Sequence, residues 1–287
     1  MTYRTALRWL LLLVLAAAAT TGAATAGTGK GGVPQLVFPV IGQVSYTDDF
    51  GDPHGNGRHE GNDLVAPKRA TAVAVEPGTV KFWTTSSRAG CMLYLYGASG
   101  TTYRYIHLNN DLTLANDNRG KCVAGVAYAD GLKSGDRVQA GQPVGLVGDS
   151  GDADGITSHL HFEVHPHDGG AVDPFPCLKK ATRLLMAAPP AGTPFTLRLD
   201  GTVVTAAETE LDVWVDTLQS LPSHVKVTKL GKTLTLGVPA ASLVSPARLG
   251  ATLPGRKVSV WTLPALPTLA ALTGEAYALS AQKIELR

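Results

Sequence analysis

Several features that would identify a common protein class are scarce in this chain of 287 residues. It has 25 Lys and Arg residues against 23 Asp and Glu residues, and no basic run stands out. A nucleic-acid partner or a polybasic membrane role therefore has no electrostatic support. Sustained heptads, low-complexity tracts and clear internal repeats are also missing, which argues against a coiled coil or a repeat array.

Long apolar runs are absent except at the N-terminus. Arg4 and Arg8 form a basic n-region, and residues 9–19 are apolar. Residues 24–26 have the small side chains typical of a signal-peptide cleavage site. The pattern predicts a signal peptide over residues 1–26, and hence a secreted or cell-envelope protein. A retained N-terminal anchor is the alternative, because signal sequences and short spans overlap in length. After removal of the signal peptide we expect no stable membrane span and no net charge.

Cysteine is rare, with only Cys91, Cys122 and Cys177. In a secreted chain two of them are expected to pair, and spacing alone leaves three pairings open. The residues after Cys91 form a predicted hairpin in which Cys91 lies opposite the His107 end of the second strand. The loop that leaves His107 contains Cys122, so we favour the Cys91–Cys122 disulfide with Cys177 free.

Glycine and proline, in contrast, are abundant, with 32 and 18 residues. Together with short alternating runs they predict a mostly β chain. We expect a helix over residues 177–187, ended by the Ala-Pro-Pro-Ala-Gly run. Seven of the eight histidines lie between residues 54 and 167, which places any chemistry in the first of two domains. The predicted divisions are a signal peptide at 1–26, a short linker at 27–35, a first domain at 36–180, a linker at 181–192 and a C-terminal β-rich domain of unknown role at 193–287.

The stretch "SHLHFEVH", residues 158–165, predicts a strand with two different faces. Side chains two apart share a face, so histidines and Glu163 alternate with Leu160, Phe162 and Val164. In "RHEGNDLVAP", His59 and Asp63 are four apart, and the glycine between them favours loop and strand over helix. His59, Asp63 and one histidine of "HLH" would supply the three protein ligands typical of a catalytic zinc. Spacing alone does not show that they meet.

Four stretches of residues 36–178 resemble the lysostaphin-type M23 metallopeptidases, also called LytM-domain peptidases. They are "HEGNDLVAP", "YRYIHLNND", "GDRVQAGQPVGLVG" and "GDSGDADGITSHLHFEVHP". The resemblance implies an antiparallel β-sheet groove of the duplicated hybrid-motif kind and one Zn²⁺ per chain. It assigns the zinc ligands to His59, Asp63 and His161, and the catalytic histidines to His107 and His159.

The resemblance implies a zinc metalloendopeptidase that cleaves the cross-bridge or stem peptides of bacterial peptidoglycan. A catalytically inactive M23-like binding or regulatory protein of the cell envelope is the alternative. Around the site, we expect Glu163 to orient a ligand and Glu60 to be solvated. We expect His165 and His167 to lie at the rim, and the aspartates of "GDSGDADG" to form a turn-rich loop rather than a calcium site.

Overall fold

The computed structural model describes residues 33–54, 57–84, 86–245, 249 and 253–287. The predicted signal peptide at 1–26 lies outside these ranges, as does most of the predicted linker at 27–35. Among the helices of the described residues, none has the length and apolar character needed to cross a bilayer.

The first part of the chain is built from ten short strands, one helix and a 3-10 turn at Gly151–Ala153. They are β1 (Pro53–His54), β2 (Gly57–Arg58), β3 (Asn62–Val65), β4 (Thr71–Val73), β5 (Gly78–Trp83), β6 (Cys91–Gly97), β7 (Thr101–Leu108), β8 (Arg137–Val138), β9 (Pro143–Leu146), β10 (His159–Pro166) and α1 (Phe175–Lys180). Six of the strands form one sheet in the order β3-β10-β7-β6-β5-β8, and each neighbouring pair is antiparallel. The β6–β7 hairpin turns at residues 98–100, as the sequence predicts.

Apolar and polar side chains alternate along β10, and the apolar ones anchor this sheet to its core. Leu160, Phe162 and Val164 are fully buried and belong to one apolar cluster with residues of β6, β7 and β9. Each such side chain contributes about 1.5–3 kcal/mol on burial. Because the side-chain period of a strand is two, seating these three in the core directs His159, His161 and Glu163 to the opposite face.

The second part of the chain forms a second six-stranded sheet. Its elements are β11 (Thr196–Ala206), β12 (Glu210–Leu221), β13 (Lys226–Gly237), β14 (Leu243–Ser245), β15 (Lys257–Thr262), α2 (Leu269–Thr273) and β16 (Ala281–Leu286). The strand order is β13-β12-β11-β15-β16-β14, antiparallel except between β14 and β16. The prediction of a mostly β chain with an antiparallel sheet and a β-rich C-terminal part is confirmed.

The segment that joins the two sheets differs from the helix predicted at 177–187. Helix α1 covers Phe175–Lys180 only, because Ala181 is already extended, with ψ 140. Leu184, Leu185 and Met186 then leave the helical path and pack into the apolar core of the second sheet. Tertiary burial of these side chains therefore decides the conformation that local propensity left open.

The disulfide between Cys91 and Cys122 is present, as predicted, with a Cα–Cα distance of 5.1 Å. Cys177 is the free cysteine. The bond ties the loop after β7 to the start of β6, and Cys91 pairs with Leu108 across these strands. It therefore anchors the sheet end that carries His107.

Candidate metal and catalytic site

Two adjacent strands bring the first residues of the site together. In the antiparallel pairing of β3 with β10, Asp63 lies directly opposite His161. His59 precedes β3 in a non-helical segment, so the HxxxD spacing acts through loop and strand, as predicted. Gly61 permits this approach, since a Cβ there would lie 2.6 Å from the Phe162 carbonyl oxygen and 2.8 Å from His161 Nε2.

Three potential ligand atoms converge at this point. His59 Nε2 lies 2.8 Å from His161 Nδ1 and 3.1 Å from Asp63 Oδ1, and His161 Nδ1 lies 3.0 Å from Asp63 Oδ1. The same three residues form a cluster able to hold a metal ion. Ligand atoms around a tetrahedral zinc with bonds of about 2.0–2.1 Å lie about 3.3 Å apart. The observed spacing is therefore close to what one ion needs.

The outward-facing nitrogens define the protonation of both histidines. His59 Nδ1 contacts the Asp49 carbonyl oxygen at 3.0 Å, and His161 Nε2 contacts a Glu163 carboxylate oxygen at 3.2 Å. Both partners can only accept, so these nitrogens carry the protons. The inward nitrogens then present lone pairs beside the Asp63 carboxylate. Three acceptors face one another, an arrangement that a cation satisfies.

The same acceptors also attract a proton when they hold no cation. Burial opposes charge on His161, but hydrogen bonds to Asp63 and Glu163 outweigh it and raise its pKa to about 9. Burial likewise opposes ionisation of Asp63, yet contacts with His161 and His59 hold its pKa well below the usual range. Asp63 is therefore a carboxylate at neutral pH, as a ligand must be.

Glu163 is buried beneath the cluster with three donors around it. Besides His161, its carboxylate accepts from His165 Nε2 at 2.6 Å and from the Arg104 guanidinium at 3.0 Å. His165 is 3% exposed, and its Nδ1 lies 2.8 Å from the Gly169 carbonyl oxygen. The expectation that His165 lies at a solvated rim is wrong. It is buried because Glu163 and Gly169 use both of its ring nitrogens, whereas His167 is exposed as expected.

His107 and His159 lie beside the cluster, with their ring planes inclined at 60° to each other. Their ring centroids are 5.1 Å apart, and His159 Nε2 lies 3.8 Å from Asp63 Oδ1. His107 Nδ1 donates to the Ser150 carbonyl at 2.8 Å, and His159 Nδ1 donates to the Thr157 carbonyl at 2.9 Å. Each ring is therefore anchored through Nδ1. Burial lowers the pKa of His107 to about 4, so this ring is neutral and able to accept a proton.

His107 reaches the site by a departure from regular strand geometry. Across the β7–β10 pairing, Arg104 and Ile106 oppose Glu163 and His161, so simple alternation assigns residue 107 to the core face. A register shift in the β6–β7 pairing and a left-handed backbone at His107, with φ 59, interrupt that alternation. Such a conformation in a non-glycine residue costs energy and is typical of functional positions.

Three other residues lie near the site in sequence or in space. Tyr105 does not border the site: its hydroxyl is buried, donating to the Val73 carbonyl and accepting from the Val75 amide. Glu60 is exposed, as predicted for a solvated residue. Asp49, which sequence reasoning missed, contacts His59 and also accepts from the Asn62 side chain and the Asp63 amide. It is ten residues from His59, and no local pattern marks the contact.

The face of the sheet that carries the site continues as a polar and aromatic surface. Arg104 lies opposite Glu163 on one side and Tyr94 on the other, and its guanidinium is 4.9 Å from the Tyr94 ring centroid. Lys81 follows in the same row, and its Nζ is 4.3 Å from the Trp83 ring centroid. The face is thus suited to an extended polar chain with small apolar groups.

Comparison with known proteins agrees with this geometry. The family model Peptidase family M23 matches residues 57–174. An L-Ala--D-Glu endopeptidase of Bacillus subtilis (strain 168) is 26% identical over 153 residues, covering 50% of this chain and 42% of that protein. The chain thus spans less than half the length of this curated relative.

Solved structures also align with about half of the chain. The catalytic domain of lysostaphin from Staphylococcus simulans is 26% identical, with TM-score 0.37, covering 47% of this chain and 92% of that one. A zinc-containing peptidase from Vibrio cholerae is 24% identical, with TM-score 0.36, covering 50% and 39%. Residues 57–174 of this chain match the model of peptidase family M23, and this stretch encloses all five site residues that the sequence predicts.

Proposed function

We propose that the protein is a zinc metalloendopeptidase that hydrolyses peptide bonds in bacterial peptidoglycan. The observation that carries the proposal is the convergence of His59 Nε2, Asp63 Oδ1 and His161 Nδ1 within 3.1 Å of one another. The match of residues 57–174 to peptidase family M23 supports hydrolysis of peptide bonds in general. The identity of the metal, the roles of its ligands and the substrate are our proposal beyond that general activity.

The donor set fits zinc in three respects. Two imidazole nitrogens and one carboxylate oxygen are among its preferred ligands, and three protein ligands leave a position for water or substrate. The tautomers of His59 and His161 already direct lone pairs to the centre. The outward nitrogens are held by Asp49 and Glu163, as ligand histidines usually are. We assign the three ligands accordingly, one Zn²⁺ per chain.

When bound, zinc supplies a water of lowered pKa, about 7 instead of 15.7, and polarises a carbonyl oxygen. The protein's own residues supply proton transfer. His107 and His159 are each anchored through Nδ1 to a backbone carbonyl, which leaves Nε2 as the nitrogen for proton transfer. We assign to this pair the acceptance of a proton during attack on the peptide carbon and its return to the leaving amine.

Two further observations bear on substrate and location. The B. subtilis relative is an L-Ala--D-Glu endopeptidase, which supports a cell-wall peptide as substrate. The Cys91–Cys122 disulfide is typical of an oxidising compartment, and this supports secretion or residence in the cell envelope. We propose peptidoglycan peptides as the partner on these grounds.

The test combines metal analysis with hydrolysis. The full mature chain is purified, its zinc content is measured, and release of peptide ends from purified cell wall is followed before chelation, after chelation and after zinc is restored. His161→Asn is compared with His167→Asn, since His167 is an exposed histidine outside the cluster and asparagine tolerates its left-handed backbone.

We expect zinc-dependent hydrolysis that His161→Asn abolishes together with metal binding and that His167→Asn retains. Full zinc occupancy in His161→Asn would show that the ligand assignment is wrong. A zinc-loaded wild-type protein that binds the wall without cleaving any bond would instead favour the inactive binding protein.

A further inference from the structure

A cleft of about 740 Å³ lies between the two sheets, on the side of the metal cluster. The lining comes from the edge of the first sheet, from strand β13 of the second sheet and from the segment that connects the two sheets. The lining residues are those at 42–45 and 65–67, Thr157, those at 183–185, Lys229, Leu230 and Lys232.

The cleft adjoins the proposed active site through neighbouring residues. Val65 lies two residues after Asp63 on β3, so the two share a face and are about 7 Å apart along the strand. Val65 is 37% exposed and pairs with His159 across the sheet. Thr157, another lining residue, accepts the hydrogen bond that orients His159. A peptide bound at the site and extended along β3 would therefore reach the cleft at Val65.

The charges around the cleft have one sign. Arg183, Lys229 and Lys232 line it, and none of the lining residues that the structure describes is acidic. In the described part of the chain these three cations make no salt bridge, whereas Lys68, Arg104 and other basic residues do. The Arg183 guanidinium lies 3.7 Å from the Phe38 ring centroid, and Lys232 Nζ donates to the Thr273 carbonyl. Both side chains are thus held in place without neutralisation.

We propose that this cleft binds the acidic part of the peptide substrate, with Lys229 and Lys232 of the second sheet pairing with its carboxylates. Uncompensated cations in a concave site attract anions, and the apolar side chains of Val65 and Leu184 suit the aliphatic portion of a peptide. The second sheet then contributes to substrate selection, while all five proposed metal and catalytic residues lie in the first part of the chain. This inference rests on the proposed function for the identity of the ligand.

The test measures binding separately from hydrolysis. A fluorescent stem peptide with a free glutamate carboxylate and the same peptide with that carboxylate amidated are titrated with the metal-free full chain, and anisotropy gives both affinities. The variants are Lys229→Glu and Lys232→Glu, singly and combined. Lys226→Glu is the matched control, because Lys226 is exposed on the same strand, β13, and does not line the cleft.

We expect the wild type to prefer the free carboxylate, and each cleft variant to weaken binding of that form by about three- to tenfold, less at high salt. The amidated peptide and the control should be little affected. Equal binding of both forms by the wild type, or unchanged binding by the combined variant, would overturn the proposal. So would stronger binding of a poly(glycerol phosphate) polymer than of the peptide in a competition titration.

If a charge reversal lowers the thermal unfolding temperature, Lys229→Gln and Lys232→Gln are used in its place. The ratio of the affinities for the free and the amidated peptide then decides in the same way. The outcome is also separable from that of the proposed function. Carboxylate-selective binding without hydrolysis by the zinc-loaded chain would reject the peptidase and retain the cleft. Hydrolysis without any preference for the free carboxylate in binding would retain the peptidase and reject the cleft as the binding site.

Discussion

Replacing Glu163 by glutamine tests how the proposed zinc ligand His161 is held. The carboxylate accepts from three donors, at 3.2 Å from His161, 2.6 Å from His165 and 3.0 Å from Arg104. Burial opposes its charge, but the contacts with His161 and His165 prevail and lower the pKa of Glu163 to about 2, so it is an acceptor throughout the neutral range. Glutamine offers one acceptor oxygen, and its NH₂ group would face at least one of these donors.

We expect Glu163→Gln to bind zinc more weakly than the wild type. Without a carboxylate at Nε2, His161 loses the contact that keeps its proton away from the metal side. Changes to such supporting residues typically weaken metal binding by about 10–100-fold, or about 1.4–2.7 kcal/mol. Zinc affinity is measured at neutral pH by competition with a chromogenic chelator, and circular dichroism confirms folding. Glu60→Gln is the control, since Glu60 is exposed and adjacent to His59. A folded Glu163→Gln variant with wild-type zinc affinity would refute the reasoning.

Three other predictions concern the disulfide, the free thiol and the two catalytic candidates. The Cys91–Cys122 disulfide has a sequence separation of 31, so replacing both residues by serine should lower the free energy of unfolding by about 3.7 kcal/mol. Urea unfolding measures this change, and a loss below about 1 kcal/mol would contradict the loop-entropy argument. Burial raises the pKa of Cys177 to about 11, so its alkylation should be slow at neutral pH and rise about tenfold per pH unit toward that value. A rate equal to that of a free small-molecule thiol would show that burial does not protect it. His107→Ala and His159→Ala should retain one zinc per chain while hydrolysis falls by about 10²–10⁴-fold. Loss of the metal from either variant would assign that residue a different role.

The features that sequence predicts well are those governed by short-range periodicity. Alternation along β10 separates Leu160, Phe162 and Val164 from the histidines, and the structure has the same two faces. The poor helix formers between His59 and Asp63 indicate loop and strand, which is what forms. In each case a single local rule, the two-residue period or the propensity of glycine, determines the outcome.

The features that sequence misses depend on contacts between distant residues or on departures from regular geometry. His165 is buried because its two ring nitrogens contact Glu163 and the Gly169 carbonyl, although the sequence pattern alone predicts a position at the rim. Alternation would assign His107 to the core face, and a left-handed backbone brings it to the site. Family resemblance indicated His107, but only the fold gives the physical reason.

Removing the second sheet is expected to destabilise the first. From its sequence, the C-terminal part looks dispensable for chemistry, and a chain ending near Ala187 would be the natural truncation. Val37, Ile41 and Val73, however, share an apolar core with residues 184–188 and the second sheet. Each large side chain of this set contributes up to about 1.5–3 kcal/mol on burial, and their sum is comparable with the whole stability of a domain, about 5–15 kcal/mol. The truncated chain should therefore unfold at a clearly lower temperature than the full chain or aggregate, as followed by circular dichroism and light scattering. A monomeric truncation with the unfolding temperature of the full chain would show that the shared core contributes little, and its hydrolysis of soluble peptides would then report the catalytic capacity of the first sheet alone.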